Sequence, residues 1–376
     1  MEDDLNYENL IDDVTEAIKK LNLVIFIGAG VSIAQGYPNW NNYIEHLIKY
    51  WQGQVLSVSG EKRLGREHHV VFDLISKSSI SNKRKVDLVN YELKKVFGED
   101  FEKRRLDFEK GYFKNLLPYS IVNQTVEALA SLNAIFITSN YDYEIENHIK
   151  RLKNSVVTIN DLNEFTKNKK GKLQFGDVLH IHGTPDCDVK YFVSSSADYS
   201  KTYLKNRENF ENLVTWFKET KPTVLFIGAG LEEDEILSLL CKDSKNYALM
   251  KSENTGNQRA DEHYRGVVEG FFSSENHTQI IWYGDEFEKL PLFVKKLVAD
   301  INEKLGTHDF YNQWINLLNP SINQEEYNKN LDSISNDFKY LSSVLDKVIE
   351  NDNNQLDQLM LNALLRGETL TVIKKN

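Results

Sequence analysis

A run of five apolar residues, Leu23 to Ile27, passes directly into Gly28-Ala29-Gly30, and no other feature restricts the fold of this chain as much. The run is too short for a buried helix and is closed by glycines, so it reads as a strand covered on both faces, the kind found in parallel α/β sheets. Glycine has no Cβ, so backbone N–H groups in the turn can approach a diphosphate closely, and the positive end of the following helix favours its charge. Residues 22–40 therefore read as strand, glycine turn, phosphate-sized cradle and helix, with Asn39 as helix cap: a nucleotide site.

Composition excludes several alternatives. With 376 residues, 41% of them hydrophobic and 27% charged, the chain has the make-up of an ordinary globular protein with room for one large α/β domain and smaller helical pieces. A formal charge of −11 argues against a broad basic face that grips nucleic acid through phosphates. Cys187 and Cys241 stand alone, which disfavours a zinc ribbon or a disulfide framework. Residues 1–4, Met-Glu-Asp-Asp, lack the basic start and apolar core of a signal peptide, and no apolar run reaches membrane-spanning length; a cytoplasmic protein is expected.

Taken in order, Ile11, Val14, Ile18 and Leu21 fall on one face of a helix leading into the first strand, and Tyr43, Ile44, Leu47, Ile48 and Trp51 mark a helix after the glycine turn. Residues 53–118 are charged and of helical period, a helical insertion after the first βα unit. Strands are expected at residues 134–137, 156–159, 178–183, 191–194, 223–227, 247–250 and 279–283, with helices between them, including one near Val267 and Phe271. The expected architecture is α/β: a Rossmann-like parallel sheet with helices on both faces over residues 1–305, then a helical C-terminal extension over residues 306–376. In the extension, Leu331, Ile334, Phe338, Leu341, Leu345 and Val348 form an apolar seam three and four apart, which suits either a hairpin packed on the main domain or an assembly surface. Residues 369–373 could add an edge strand.

The strand ends carry the chemistry. Phe-Ile-Gly-Ala-Gly recurs, at Phe26 and again at Phe226, so a second turn, Gly228-Ala229-Gly230, faces the same carboxyl edge as the first. Gly28, Gly30 and Ile33 do not complete Gly-x-Gly-x-x-Gly, and no acidic residue is placed to hold a ribose as in hydride-transfer domains; neither turn is followed by the Gly-Lys-Ser/Thr of a P-loop. Asn140 and His182 close two other strands. A carboxamide can hold a ribose hydroxyl or a water, and an imidazole can accept a proton near neutral pH; equally, an asparagine can satisfy a turn and a histidine can bond to backbone. His180 and His182 lie two apart, but no third ligand supports a metal. Asp142 and Asp234 either touch a ribose or cap the helices that start after them.

The order Gly28-Ala29-Gly30-Val31-Ser32, Thr138-Ser139-Asn140-Tyr141-Asp142, His182-Gly183 and a late glycine turn resembles the sirtuin-like family, named for silent information regulator two, across residues 10–300. Gly36-Tyr37-Pro38-Asn39-Trp40 and Ala197-Asp198-Tyr199 are similar to its divergent prokaryotic branch of NAD hydrolases that defend bacteria against phage. The resemblance implies NAD as substrate, its diphosphate on Gly28, Ala29 and Gly30 with Ser32 nearby, and its adenosine served by Gly228, Gly230 and Asp234. It implies Asn140 and His182 as the catalytic pair and Asp142 as a further NAD contact. Deacylating sirtuins carry four zinc cysteines, an Asp-Phe-Arg segment and a Phe-Gly-Glu segment; all are missing here, so no metal is expected and the insertion stands in place of the zinc module. The implied activity is NAD glycohydrolase, releasing nicotinamide and ADP-ribose as a regulated toxin in abortive infection. The implied partners are copies of itself in a homo-oligomer and an operon neighbour such as a HerA-like ATPase or an Argonaute-like protein. A silent NAD or ADP-ribose sensor and a protein ADP-ribosyltransferase or deacylase are the alternatives.

Overall fold

A computed structural model describes residues 2–57, 65–115, 122–149, 156–159, 177–184, 192–205, 207–232 and 234–305. Helix α1 (Glu2–Lys19) leads into strand β1 (Leu23–Ile27) and the one-turn helix α2 (Ala29–Ile33). Four longer helices follow, α3 (Trp40–Ser57), α4 (Arg66–Lys77), α5 (Asn82–Phe97) and α6 (Phe101–Asn115). The chain then returns to the sheet through α7 (Gln124–Leu129), β2 (Ile135–Thr138), α8 (Glu144–Ile149), β3 (Val156–Thr158) and β4 (Val178–His180). After the short α9 (Ser196–Tyr199) come α10 (Glu208–Thr220), β5 (Thr223–Ile227), α11 (Asp234–Leu237), β6 (Asn246–Lys251), α12 (Gln258–Asn276), β7 (Thr278–Gly284) and α13 (Leu290–Lys304).

The seven strands form one sheet in the order β3-β4-β2-β1-β5-β6-β7, and every pairing is parallel. The α/β, Rossmann-like class expected from the sequence is the class observed. Strand side chains alternate between two helical layers. Leu23, Ile25 and Ile27 pack with Leu10, Val14 and Ile18 of α1, Leu129 of α7 and Val294 and Leu297 of α13, whereas Val24 and Phe26 pack with Phe210, Leu213 and Phe217 of α10. Burial on both faces explains why β1 and β5 are uninterrupted apolar runs.

A third core lies apart from the sheet. Tyr43, Leu47 and Trp51 of α3, Phe72 of α4, Val86, Val89 and Leu93 of α5, and Phe101 and Phe108 of α6 cluster together, so α3 to α6 form one helical module inserted between β1 and β2. Two local expectations differ from what is found. Residues 192–194 are not a strand: the Val193 N–H donates to the His182 carbonyl, but the N–H groups of Ser194 and Ser195 are taken by the Asp198 carboxylate instead of a neighbouring strand. Helix α12 is present, yet Val268 and Phe272 meet the sheet while Val267 and Phe271 are exposed, the residues one step along a helix being turned by about 100°. The seam at residues 331–348, the segment at 369–373, the excursion at 167–172, Cys187 and the whole of 306–376 lie outside the described residues. Among the described residues no helix is long and apolar enough to cross a membrane.

The strand order places the site. The chain starts at the centre with β1, adds β2 beside it, lays β3 at the edge and β4 between β3 and β2, and then returns to β5 on the other side of β1. The crevice at the carboxyl ends of β1 and β5 is therefore the topological switch point, where open α/β sheets bind ligands. Ile27 pairs with Ile227 there, which sets the two glycine turns side by side.

Candidate active site

The two glycine turns hold each other. Gly28 N donates to the Ile227 carbonyl and Gly30 N to the Gly228 carbonyl, each at 2.9 Å, so both N–H groups are used within the fold. A Cβ on Gly28 would sit 2.5 Å from the Gly228 oxygen, and one on Gly30 would sit 2.9 Å from the same atom. Glycine is required here because two backbones touch, a reason distinct from the phosphate approach the sequence suggested. Gly228 also has φ +65°, and its Cβ would lie 2.7 Å from Val31 N. Gly228→Ala is expected to destabilise the domain by about 2 kcal/mol, seen as a lower urea midpoint with an unchanged m-value; an unaltered midpoint would show that the turns can separate without cost.

Two cavities open beside these turns and share Ala29, Ser139 and Glu232. One, of about 150 Å³, is lined by Gly28, Gly228 and Gly230 with Phe26, Phe226, Ile236 and Leu237. The other, of about 240 Å³, has Trp40, Tyr43, Phe113 and Tyr141 as aromatic walls and Ser32, Lys83, Asn140, Asp142, His182 and Tyr199 as polar lining. The module supplies Trp40, Tyr43, Lys83 and Phe113, so it forms one side of this cavity.

Asn140 follows β2 and is buried. Its Nδ2 donates to the Gly28 carbonyl at 3.2 Å and to Ser32 Oγ at 3.0 Å, and Ser32 in turn donates to Asp142. With both amide hydrogens directed at acceptors, the carboxamide orientation is determined and its oxygen is left for the cavity. Asp142 accepts from Glu144 N at 3.0 Å, capping α8, and burial pushes its carboxyl up to about 6.

His182 lies just beyond β4, also buried. Its ring is hydrogen-bonded to the Ser139 backbone, and Nε2 lies 3.1 Å from the Tyr199 hydroxyl. Burial, with Lys83 as the next contributor, pushes the imidazole down to about 3, so it is neutral at physiological pH. His180 faces elsewhere: Nδ1 bonds the Asn140 carbonyl at 2.9 Å and Nε2 bonds Glu146 Oε1 at 2.6 Å. Burial opposes its charge, but Glu146 outweighs this and holds the ring above its ordinary range. Both nitrogens of His180 are thus engaged, Nδ1 with the Asn140 backbone and Nε2 with Glu146, and among the described residues no cluster of three His, Cys, Asp or Glu could hold a metal.

The fold brings Ala29, Ser32, Asn140, Asp142 and His182 to one cavity and Gly28, Gly228 and Gly230 to the next. Gly30 lines neither and serves the packing of the turns. Asp234 is exposed at the start of α11 and also lines neither. Sequence reasoning missed Lys83, the first-turn lysine of α5, and assigned no task to Tyr199 or to the His180–Glu146 pair. Nothing in the spacing of Lys83 marks it among its lysine-rich neighbours.

Residues 134–280 match the family model described as SIR2-like domain, a span that holds Asn140, His182 and the second glycine turn. No curated protein matches the chain. A SIR2-like domain supports an NAD-related function, and the geometry above lies within and beside the matched span. Over residues 134–280 the chain is therefore similar to the SIR2-like domain family.

Proposed function

We propose that this protein hydrolyses NAD to nicotinamide and ADP-ribose. The observation that supports this most directly is the Asn140 carboxamide oxygen, left for a cavity whose other polar lining includes a neutral His182 and whose walls are aromatic. Trp40, Tyr43, Phe113 and Tyr141 suit a flat ring such as nicotinamide. The smaller cavity, walled by Phe26, Phe226, Ile236 and Leu237, suits adenine, and Ala29 and Ser139, which line both cavities, lie where a diphosphate would join the two halves.

In the reaction the bond between ribose C1′ and the nicotinamide nitrogen breaks, and its electron pair neutralises the positive ring. C1′ gains a bond to the oxygen of water, and that water loses one proton. The leaving group is cationic from the outset and needs no general acid, so catalysis consists of holding the ribose, stabilising an oxocarbenium-like transition state and controlling water. Asn140 holds the ribose hydroxyl or the water, and the neutral His182, whose Nε2 is shared with the Tyr199 hydroxyl, accepts a hydrogen bond from it directly or through that hydroxyl. The biological reading is a regulated toxin that depletes NAD in antiviral defence, with residues 306–376 as the assembly or partner region; it is supported by the motif resemblance.

The test is incubation of the purified chain with NAD, alone and with any neighbour-encoded protein, followed by chromatography. Nicotinamide and ADP-ribose should appear in equal amounts. Measurable NAD binding without release would instead favour a sensor, and ADP-ribose attached to protein would favour a transferase.

A further inference from the structure

The helical module reaches the catalytic histidine through a short chain of contacts. Residues 194–199 are tied to it in three places: the Arg105 guanidinium donates to Asp198 Oδ2 at 2.7 Å and to Ser194 Oγ at 2.9 Å, the Ala197 N–H donates to Asp87 Oδ1 at 3.0 Å, and Lys83 Nζ stands 3.4 Å from the centre of the Tyr199 ring. Tyr199 then meets His182, hydroxyl to Nε2, with the two rings edge to face at 5.1 Å. The His182 ring donates to the Ser139 backbone, so Nε2 is the acceptor and Tyr199 the donor. A cation over a tyrosine face attracts the ring and fixes its place.

We propose that Tyr199 is a positioning residue that fixes the orientation of His182, and that the helical module sets it through Lys83, Asp87 and Arg105. The module is thereby more than a cover: a displacement of α5 or α6 alters the histidine without touching it. This inference rests on His182 being the residue that acts on NAD, but the contact network itself does not depend on that reading. The charged and titratable groups facing His182 are Lys83 from α5, Glu235 from α11, and the hydroxyl-bearing rings of Tyr141, Tyr199 and Tyr203; Asp142 and Glu232 share the cavity.

The experiment uses the full chain with ¹⁵N-labelled histidine, His182 being assigned by the signals lost in His182→Gln. Ring nitrogen shifts are followed against pH in wild type, Tyr199→Phe and Lys83→Met, and NAD turnover is measured in the same samples. Wild type should show a single neutral tautomer protonated at Nδ1. Tyr199→Phe should shift Nε2 as its donor is lost and lower kcat by about 10- to 100-fold with KM unchanged. Lys83→Met should move the titration of His182 upward by about half a pH unit or more, because a like charge is removed. His182 spectra and titrations identical in all three proteins would overturn the inference. If the His182 signals respond as expected but wild type releases no nicotinamide, the positioning network stands and the hydrolase reading falls.

Discussion

Asn140→Ala should lower NAD turnover by about 10²- to 10³-fold, the size of effect seen when one preorganised polar group is taken from a site where charge develops. The side chain is held from two sides, by the Gly28 carbonyl and by Ser32 Oγ, and Ser32 is itself held by Asp142. That chain of bonds keeps the carboxamide oxygen in place before substrate arrives, and alanine removes the oxygen together with the donor that tied β2 to the first glycine turn. The cost to stability is smaller, about 1–3 kcal/mol for the two hydrogen bonds lost, with the Gly28 carbonyl keeping the Val31 N–H, so the variant should give the wild-type circular dichroism spectrum. Full turnover in a folded Asn140→Ala protein would remove Asn140 from the mechanism.

Arg105→Met is expected to have the largest effect on stability. Arg105 is buried, and its Nη2 reaches Asp198, Ser194 and the Phe192 carbonyl. Burial alone would push the Asp198 carboxyl up, but Arg105 and the local hydrogen bonds hold it below its usual range. Removing one partner of a buried pair leaves the other uncompensated, at a cost of about 3–5 kcal/mol. The Ser194 and Ser195 N–H groups remain with Asp198 and place the effect near the lower end, which corresponds to a Tm lower by roughly 6–10 °C.

The loss should also depend on pH. Glu109 is buried beside Tyr43, which donates to it at 2.6 Å, and burial pushes its carboxyl up to about 7 from an ordinary 4.5. A carboxyl raised by folding contributes stability that is complete below its unfolded value and is lost as pH rises through the folded value. Arg105 counters that rise by favouring the ionised form. Without Arg105 the Glu109 carboxyl moves further up, so the gap between variant and wild type should widen from pH 5 to pH 8. Thermal denaturation at the two pH values measures it, and a gap of equal size at both would show that Arg105 does not act through Glu109.

How legible the molecule was depends on the range of the interaction concerned. The apolar runs at residues 23–27 and 223–227 announced a parallel sheet because burial on both faces demands uninterrupted hydrophobicity, and the glycines after them announced turns at its carboxyl edge. Asn140 and His182 were visible because each ends a strand, and a parallel sheet delivers every strand end to the same side. Spacing could not say that Gly28 and Gly30 are glycine because they press against Gly228, since the contact spans some 200 residues. Nor could it indicate that Asp234 stays exposed while Asp142 is buried, for both lie at the start of a short helix that follows a strand.

The amino-acid sequence by itself determined the α/β class, the strand ends that carry polar groups and the presence of a helical insertion, because these follow from local periodicity and from what a short apolar run can bury. Only the tertiary structure decided that His182 meets both Ser139 and Tyr199, which atoms of Asn140 remain for a ligand, and that Lys83 and Arg105 from the insertion reach the segment holding Tyr199. Those facts arise where separate helices and strands meet. A side chain carries no mark in the sequence of the distant group that will desolvate it, charge it or accept its proton.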